Sequence, residues 1–314
     1  MRNYYIAFVG MGSIGKRHLN NVCQLITNQG DTYTIDLYRS SMNRELSEDV
    51  KALVANQYLC SQEVQRAYDM VFITNPTSLH LETTLKFRPF TKAFFIEKPV
   101  FSSIEVEEQT IAFLDEIPSY VACPLRYNPV LQYVKQHVDL EKVISVRAMS
   151  SSYLPDWRPG QDYRQTYSAH TKLGGGVDID LIHEWDYLTW IFGMPTQCLG
   201  IAGRFSNLEI DSNDTALYIA KNDKLTFELH LDYFGRKTQR TLDIFTQDDT
   251  IQCDIVGGTV TYLKEDRTLD FNSERNAFQM AEIQHFFDIA AGKVAIDSNV
   301  RHGIKVLRLT KTKI

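Results

Sequence analysis

Residues 6–18 read Ile-Ala-Phe-Val-Gly-Met-Gly-Ser-Ile-Gly-Lys-Arg-His, an apolar run of strand length that breaks into a glycine-rich turn and then takes a helical pattern. Gly10 permits a tight turn, Gly12 lets the backbone approach a pyrophosphate because it has no Cβ, and Gly15 lets the next helix pack close to the strand. The N–H groups at the start of that helix then face the anion. This order of strand, turn and helix predicts the beginning of a dinucleotide-binding Rossmann domain.

Length and composition describe a globular protein that is large enough for two domains. The chain has 314 residues, of which 44% are hydrophobic and 23% charged, and single hydrophobic cores stop growing near about 250–300 residues. The net charge of −6 argues against nucleic acid as the main partner, and no apolar stretch is long enough to predict a membrane segment. The five cysteines are scattered without a CxxC pair, which argues against a disulfide framework or structural zinc and favours a reducing cytoplasm.

The first 122 residues alternate between strand-like and helix-like patterns. Apolar runs of strand length occur at 4–9, 32–38, 70–74, 93–96 and 120–122. Helical spacing lies between them at 14–27, 45–56, 79–86 and 104–116. Strands separated by helices predict a parallel, doubly wound sheet with right-handed crossovers.

The second half of the chain changes character. Helical spacing occurs at 130–137, 181–192 and 274–291. Strand-like runs occur at 143–153, 215–220, 225–233, 241–246 and 250–256. Turn signals between the later runs predict an antiparallel meander. We therefore expect an α/β protein with a Rossmann domain at residues 1–122 and a second α/β domain at residues 123–314.

The end of the second strand bears on the choice between NAD and NADP. An NAD-selective site places Asp or Glu there to bind the ribose 2′-hydroxyl, whereas this strand ends in Tyr38, followed by Arg39 and Ser40. Arg39 and Ser40 suit a 2′-phosphate through charge-assisted hydrogen bonds. Asp36 is the competing acidic candidate, two residues earlier on the same strand face, and in the alternative interpretation Arg39 is a solvated loop residue. The pattern favours NADP over NAD.

Two further motifs follow apolar strands, at the strand ends where ligands bind in doubly wound sheets. Asn75–Thr77 follow the strand at 70–74, with His80 in the first turn of the next helix. A histidine in that position is more often a packing or capping residue than a catalyst. Glu97–Pro99 come directly after a buried strand, although Glu and Lys are rarely buried without a partner. A salt-bridged strand end on the surface is the alternative for this second motif.

Residues 174–186 read Gly-Gly-Gly-Val-Asp-Ile-Asp-Leu-Ile-His-Glu-Trp-Asp. If a helix has begun by Asp180, then Asp180, His183 and Asp186 share one face. A carboxylate next to an imidazole orients its tautomer and raises its basicity, as a general base near neutral pH requires. The alternatives are capping by the aspartates around an interior His183, or a metal site, for which no second cluster of ligands is present.

Taken together, these motifs resemble the glucose-fructose oxidoreductase / inositol dehydrogenase family of NAD(P)-dependent oxidoreductases, known as Gfo/Idh/MocA. The resemblance extends over most of the chain and includes Arg126–Pro129, between the Glu-Lys-Pro and triple-glycine motifs. It implies a Rossmann domain and an α/β domain whose large, mostly antiparallel sheet often builds homodimers or homotetramers. It also implies hydride transfer between a sugar or sugar-derivative carbon and nicotinamide.

The resemblance assigns roles to individual residues. Lys98 hydrogen-bonds the reacting hydroxyl, His183 is the general acid/base and Asp180 assists it. The family pattern places the aspartate four residues before the histidine, whereas Asp180 lies three before His183, so Asp178 is a second candidate. No metal is expected. Cofactor contacts are expected from Gly10, Gly12, Ser13, Ile14, Gly15, Arg39, Ser40, Asn75, Pro76, Thr77, His80, Glu97 and Lys98. Substrate contacts are expected from Lys98, Arg126, Tyr153, Trp157, Tyr163, Asp180 and His183.

The loop at residues 153–164 is the expected lip of the substrate site. Its aromatic side chains suit stacking on sugar faces, and Arg158, Arg164 or Lys172 suit a phosphate or carboxylate. The loop resembles a bacterial subgroup associated with surface-sugar biosynthesis, whose substrates are nucleotide-linked or acidic sugars. In the alternative interpretation its aromatic residues pack on the sheet as part of the core.

Two functions from different classes remain open at this point. The first is an NADP(H)- or NAD(H)-dependent sugar oxidoreductase. The second is a non-catalytic NAD(P) or sugar sensor on the same fold, because fold alone does not give function. The presence of both Lys98 and His183 favours the enzyme, since a sensor has no need to keep both.

Overall fold

The computed structural model describes residues 1–43, 45–272 and 274–312. The chain divides into two compact units. The first contains residues 1–122 and 279–304, and the second contains residues 123–278 and the chain from residue 305 onward. The chain leaves the first unit after residue 122, where we expected the domain boundary, but residues 279–304 return to it and do not belong to the second unit.

The first unit contains a six-stranded parallel sheet in the order β3-β2-β1-β4-β5-β6. The expected doubly wound sheet is thereby confirmed, and its central strands β4 and β5 are apolar and buried throughout, as in sheets with helices on both faces. The strands are β1 (Asn3–Val9), β2 (Thr32–Arg39), β3 (Asn56–Leu59), β4 (Met70–Ile73), β5 (Phe94–Ile96) and β6 (Ser119–Val121). The helices are α1 (Ser13–Asn28), α2 (Glu48–Lys51), α3 (His80–Phe87) and α4 (Glu108–Asp115).

One expected helix in this unit is wrong. Helical spacing predicted a helix at 45–56, but only the single turn α2 forms there, and the chain then enters β3. The sequence of β3 is largely polar, so a search for apolar runs of strand length does not find this strand. The strand is fixed by its partner, because Asn56 Nδ2 donates a hydrogen bond to the buried carboxylate of Asp36 at 2.8 Å in the neighbouring β2.

The second unit is built on an eight-stranded sheet in the order β14-β13-β12-β11-β7-β10-β9-β8, antiparallel except between β7 and β10. The large, mostly antiparallel sheet is thus confirmed. Its strands are β7 (Val143–Tyr153), β8 (Gln197–Gly203), β9 (Thr215–Lys221), β10 (Thr226–Asp232), β11 (Phe234–Thr246), β12 (Thr250–Asp254), β13 (Thr259–Tyr262) and β14 (Arg267–Asp270). The remaining helices of the chain are α5 (Pro129–His137), α6 (Val177–Asp180), α7 (His183–Phe192), α8 (Arg275–Ala290) and α9 (Val300–Thr310). Among the described residues, none of the helices is both long and apolar enough to span a lipid bilayer.

Aromatic packing explains why residues 279–304 join the first unit. The ring of Phe286 in α8 lies 5.5 Å from that of Phe72, 5.3 Å from that of Phe95 and 6.0 Å from that of Tyr120. Phe72 and Phe95 belong to the central strands β4 and β5, so α8 covers one face of the parallel sheet. Such a long-range contact cannot be read from helical spacing, which gives the helix but not its partner.

Replacing Phe286 by alanine tests this packing. We expect the free energy of unfolding to fall by about 3–5 kcal/mol, because the side chain is fully buried and its removal leaves a cavity. Phe205→Ala is the matched control, since that ring is 70% exposed, and its effect should stay within about 0.5 kcal/mol. Urea unfolding followed by circular dichroism measures both values. Equal losses for the two variants would contradict the assignment of α8 to the first unit's core.

Candidate functional site

The glycine-rich turn after β1 is shaped by close backbone approach at two positions. Gly10 has φ +92°, and a Cβ on it would lie 2.7 Å from the Cα of Asn75. A Cβ on Gly15 would lie 2.8 Å from the Thr74 hydroxyl oxygen, which itself donates a hydrogen bond to the Gly10 carbonyl at 2.9 Å. These two glycines are therefore required by the turn's own packing against the end of β4.

Gly12 differs from the other two glycines, because a Cβ on it would meet no heavy atom within 4 Å. It is the residue that precedes α1, where no side chain caps the helix and the first turn has no acidic residue. The N–H groups and dipole at the start of a 16-residue helix thus face open space beside Gly12, with Ser13 and Ile14 in the first turn. A pyrophosphate fits this arrangement.

The end of β2 carries the residues on which the choice between NAD and NADP was predicted to depend. Arg39 is half-buried and Ser40 is exposed, and Arg39 Nη1 donates a hydrogen bond to Gln57 Oε1 at 2.8 Å. Asp36 is fully buried and accepts a hydrogen bond from the Tyr68 hydroxyl at 2.9 Å. Its carboxylate is part of the interior, so Asp36 is not available to a ribose hydroxyl.

His80 supports the loops around the site from inside the protein. The ring is 1% exposed, and burial lowers its pKa. Backbone carbonyl oxygens face both ring nitrogens, with Asn75 O at 3.0 Å from Nε2 and Pro99 O at 3.1 Å from Nδ1. His80 therefore fastens the Asn75–Thr77 turn to the Glu97–Pro99 turn, and its expected direct contact with a cofactor is corrected to this supporting role because the ring is buried.

A buried carboxylate precedes Lys98. Glu97 Oε1 lies 2.5 Å from Nε2 of His18 in α1, and Glu97 Oε2 accepts a hydrogen bond from the backbone N–H of Lys98 at 3.1 Å. Burial alone would raise the pKa of Glu97, but the hydrogen bond from His18 and the positive charges of its neighbours outweigh it and lower that pKa. Glu97 thus remains a carboxylate, and it fixes the backbone from which the half-buried Lys98 side chain extends.

Sequence reasoning did not select His18 as a functional residue. The signal was present, because His18 follows Gly15 by three positions and shares the buried face of α1 with Leu19 and Val22. Its ring also packs edge-on against Phe95 at 4.8 Å. A histidine on an apolar helix face directly after a glycine-rich turn needs a polar partner, and here that partner comes from the Glu97–Pro99 turn.

In the second unit, the segment at residues 174–186 does not form the continuous helix that would align its aspartates. The turn α6 ends at Asp180, and α7 begins only at His183. Asp180 is buried and accepts a hydrogen bond from the Tyr233 hydroxyl at 2.5 Å. Burial and the charge of Asp180 raise the pKa of Tyr233 well above its usual value, so this tyrosine stays a donor. Asp178, the alternative partner for His183, is buried as well.

Arg126 and Asp186 form a bidentate ion pair. Arg126 Nε donates to Asp186 Oδ2 at 2.9 Å, and Nη2 donates to Oδ1 at 2.7 Å. Arg126 is 1% exposed, and its guanidinium lies over the Trp190 ring at 5.8 Å. The pair ties the turn before α5 to α7 and gives the buried Arg126 a structural role, while the substrate contact expected of Arg126 stays a prediction.

The loop after β7 brings aromatic residues close to Asp180. The Trp157 ring packs edge-on against Tyr233 at 5.2 Å, and its Nε1 donates to Ser152 Oγ at 2.9 Å. Trp157 and Tyr163 line a small pocket within this unit, and Tyr153 lies at the end of β7. The sequence left open whether Trp157 packs in the core or contacts substrate. Its position allows both, because the side chain packs against Tyr233 and also lines the pocket. No cluster of three or more His, Cys, Asp or Glu side chains arranged for a metal ion occurs in the described residues.

Comparisons with known proteins agree with this arrangement. Residues 4–118 match the model of the Gfo/Idh/MocA family, described as an oxidoreductase family with an NAD-binding Rossmann fold. The uncharacterized oxidoreductase YrbE of Bacillus subtilis (strain 168) is 23% identical over 203 residues, which are 59% of this chain and 52% of that protein. The chain thus spans about half the length of the curated relative it matches.

Two solved structures share the fold along nearly the whole chain. One is the WlbA dehydrogenase from Bordetella pertussis in complex with NADH and UDP-GlcNAcA, with a TM-score of 0.78, 16% identity, and coverage of 99% of this chain and 95% of that one. The other is myo-inositol 2-dehydrogenase from Lactobacillus plantarum, with a TM-score of 0.76, 19% identity, and coverage of 98% and 95%. Residues 4–118 therefore match the Gfo/Idh/MocA family of oxidoreductases with an NAD-binding Rossmann fold, the family that the sequence motifs resemble.

Proposed function

We propose that this protein is an NAD(P)-dependent oxidoreductase that moves a hydride between nicotinamide and a carbon bearing a sugar hydroxyl or carbonyl group. The observation that carries the proposal is the Glu97–Pro99 turn, in which a buried carboxylate fixes the backbone of Lys98. The presence of His183 at the start of α7 supports it. So do the substrates of similar folds, a nucleotide sugar for WlbA and an inositol for the second dehydrogenase.

The roles of the residues follow from their chemistry. The bound dinucleotide supplies the hydride acceptor or donor. The Lys98 ammonium group donates a hydrogen bond to the reacting oxygen and stabilises negative charge that develops there. His183 takes the hydroxyl proton during oxidation and returns it during reduction. Asp180, which Tyr233 holds in place, orients His183 in this proposal.

We further propose that NADP is preferred to NAD. Arg39 and Ser40 follow the buried Tyr38 at the position where an NAD site has an acidic residue. The only acidic side chain of β2, Asp36, is fully buried and cannot repel a 2′-phosphate at close range. A guanidinium and a hydroxyl together suit that phosphate.

Within the class of sugars, we favour a nucleotide-linked or acidic sugar of the kind used to build bacterial surfaces. The aromatic and basic residues of the loop at 153–164 support this choice. We also retain the reducing cytoplasm as the expected location. The side chains of Cys23, Cys60, Cys198 and Cys253 are thiols, and none of them forms a disulfide.

Self-association through the second unit's sheet is the final part of the proposal. Leu199 and Ile201 in β8 pair with Ile219 and Leu217 in β9, so all four side chains lie on one face. That face is exposed, with Ile219 at 69% and Leu199 at 62%. Exposed apolar patches on an ordered sheet mark interaction sites, and we expect a second copy of the chain to cover this one in a homodimer or homotetramer.

Substitution of the two proposed catalytic residues tests the enzyme. We expect Lys98→Ala and His183→Ala each to lower kcat by about 100-fold or more, because each removes a group that acts on the reacting oxygen or its proton. Binding of NADPH should stay nearly unchanged. Absorbance of reduced cofactor with a panel of sugars and nucleotide sugars measures turnover, and Lys92→Ala, an exposed surface change, is the control. Tight NADPH binding without turnover of any sugar by the unaltered protein would instead support a sensor.

The cofactor preference has its own test. We expect Arg39→Asp to weaken NADPH binding by about 10- to 100-fold, since it removes one charge-assisted hydrogen bond and adds a like charge. NADH binding should be unchanged or stronger. Fluorescence titration of both cofactors measures the two dissociation constants, with Lys51→Ala in α2 as the control. If the unaltered protein binds NADH more tightly than NADPH, the assignment of Arg39 is wrong.

The assembly is tested by a charge on the apolar face. Ile219→Asp should shift the protein toward the monomer, because it would bury an unpaired carboxylate at the interface between copies. Leu263→Asp places the same change at another exposed position, 47% exposed, and should leave the assembly intact. Sedimentation velocity at matched concentration measures the masses. A monomeric unaltered protein, or equal behaviour of the two variants, would contradict this interface.

A further inference from the structure

We propose that Arg158, Arg236 and Lys237 form a binding site for an anionic group of the substrate, a carboxylate or a phosphate. The inference rests on the proposed function, because it treats the ligand as part of the sugar that the enzyme turns over. Arg236 and Lys237 were not among the site residues that the sequence suggested.

Several arginines of the second unit form ion pairs with carboxylates. These ion pairs join Arg126 to Asp186, Arg147 to Glu228, Arg164 to Asp162, Arg240 to Glu184 and Arg267 to Glu265. Within residues 1–43, 45–272 and 274–312, Arg158, Arg236 and Lys237 have no such partner. No carboxylate of the described residues therefore neutralises the charges of these three side chains, in a protein whose net charge is −6.

Arg158 and Arg236 are nevertheless held in place by aromatic rings. The Arg236 guanidinium lies 3.9 Å from the centre of the Tyr153 ring, and the Arg158 guanidinium lies 5.4 Å from that of Tyr167. Stacking occupies the face of a guanidinium and leaves the N–H groups at its edge directed outward. Those edges match the paired oxygens of a carboxylate or phosphate.

Arg236 and Lys237 also lie on a firmly anchored bulge. In the pairing of β11 with β7, Phe234 lies opposite Tyr153 and Gln239 opposite Ser151, so the residues between them bulge from the sheet. Asp232 holds the base of this bulge, because its Oδ1 accepts hydrogen bonds from the backbone N–H groups of Phe234 at 3.1 Å and Gly235 at 2.8 Å. Bulges of this kind redirect side chains next to active sites.

The position of the bulge connects the cations to the proposed chemistry. Tyr233, which donates a hydrogen bond to Asp180, lies three residues before Arg236, so their Cα atoms are at most about 11 Å apart. Tyr167, the ring beneath Arg158, also forms a hydrogen bond with Asp180. The tyrosines around Asp180 thus link it to the segments that carry both arginines, and we infer that the bound anion is a substituent of the reacting sugar.

The test measures binding and turnover separately. Calorimetry with the NADPH-saturated protein, which blocks the dinucleotide site, uses UDP and glucuronate as two probes of the two anion sources. We expect Arg158→Gln and the double variant Arg236→Gln/Lys237→Gln each to weaken binding of at least one probe by about 10-fold or more, with NADPH affinity unchanged. Arg236→Lys should lose less than Arg236→Gln, because it keeps the charge.

Arg267→Gln is the matched control, since Arg267 also stacks on a tyrosine, at 4.1 Å from the ring of Tyr262, but ends on Glu265. It should leave both probes bound as before. Loss of UDP binding alone identifies a nucleotide diphosphate, and loss of glucuronate binding alone identifies a sugar carboxylate. Equal binding by the variants and the unaltered protein overturns the site. If only the proposed enzymatic function is wrong, the protein turns over none of the sugars, but the differences in probe binding between the variants remain. The two proposals can therefore fail separately.

Discussion

The arrangement of the first unit depends on one buried hydrogen-bonding contact, that between the His18 ring and the Glu97 carboxylate. A carboxylate that is taken out of water costs several kcal/mol unless a partner compensates it, and the 2.5 Å contact with His18 supplies that partner. His18 belongs to the helix that starts at the glycine-rich turn, and Glu97 belongs to the turn that carries Lys98. The contact therefore fixes the backbone of Lys98 relative to the helix N-terminus at which a pyrophosphate fits.

In the second unit, a buried carboxylate is stabilised by neutral hydrogen-bond donors. Asp180 is buried beside tyrosine hydroxyls, and the hydrogen bond from Tyr233 keeps its carboxylate in one orientation. Because α6 ends at Asp180 and α7 begins at His183, the shortened spacing between these residues is accommodated by a break between two helices. The expected alignment assumed a helix that had begun by Asp180 and continued to Asp186, whereas the structure has two helices there.

The sequence predicts the strands of the parallel sheet well because they are buried on both faces and read as continuous apolar runs. It fails at β3, whose polar residues are placed by pairing with β2, and at residues 279–304, whose partners lie far away in the chain. The antiparallel strands were found where side chains alternate, as in β7, and missed in β8, β13 and β14. The local sequence pattern predicts individual helices and strands, whereas the strand or helix that each one packs against depends on tertiary structure.

In the candidate site, too, the type of a residue does not determine its role. His80 and Arg126 have the chemistry of functional residues, but burial and internal partners engage them in holding the fold. Arg158 and Arg236 differ, because their guanidinium groups are positioned by aromatic rings and not neutralised by a carboxylate in the described chain. A charged side chain that is held in place but has no carboxylate partner is stabilised most when it binds an ion of opposite charge. Sequence motifs identify which residues carry chemistry, and only the structure separates charges used within the protein from those left for a ligand.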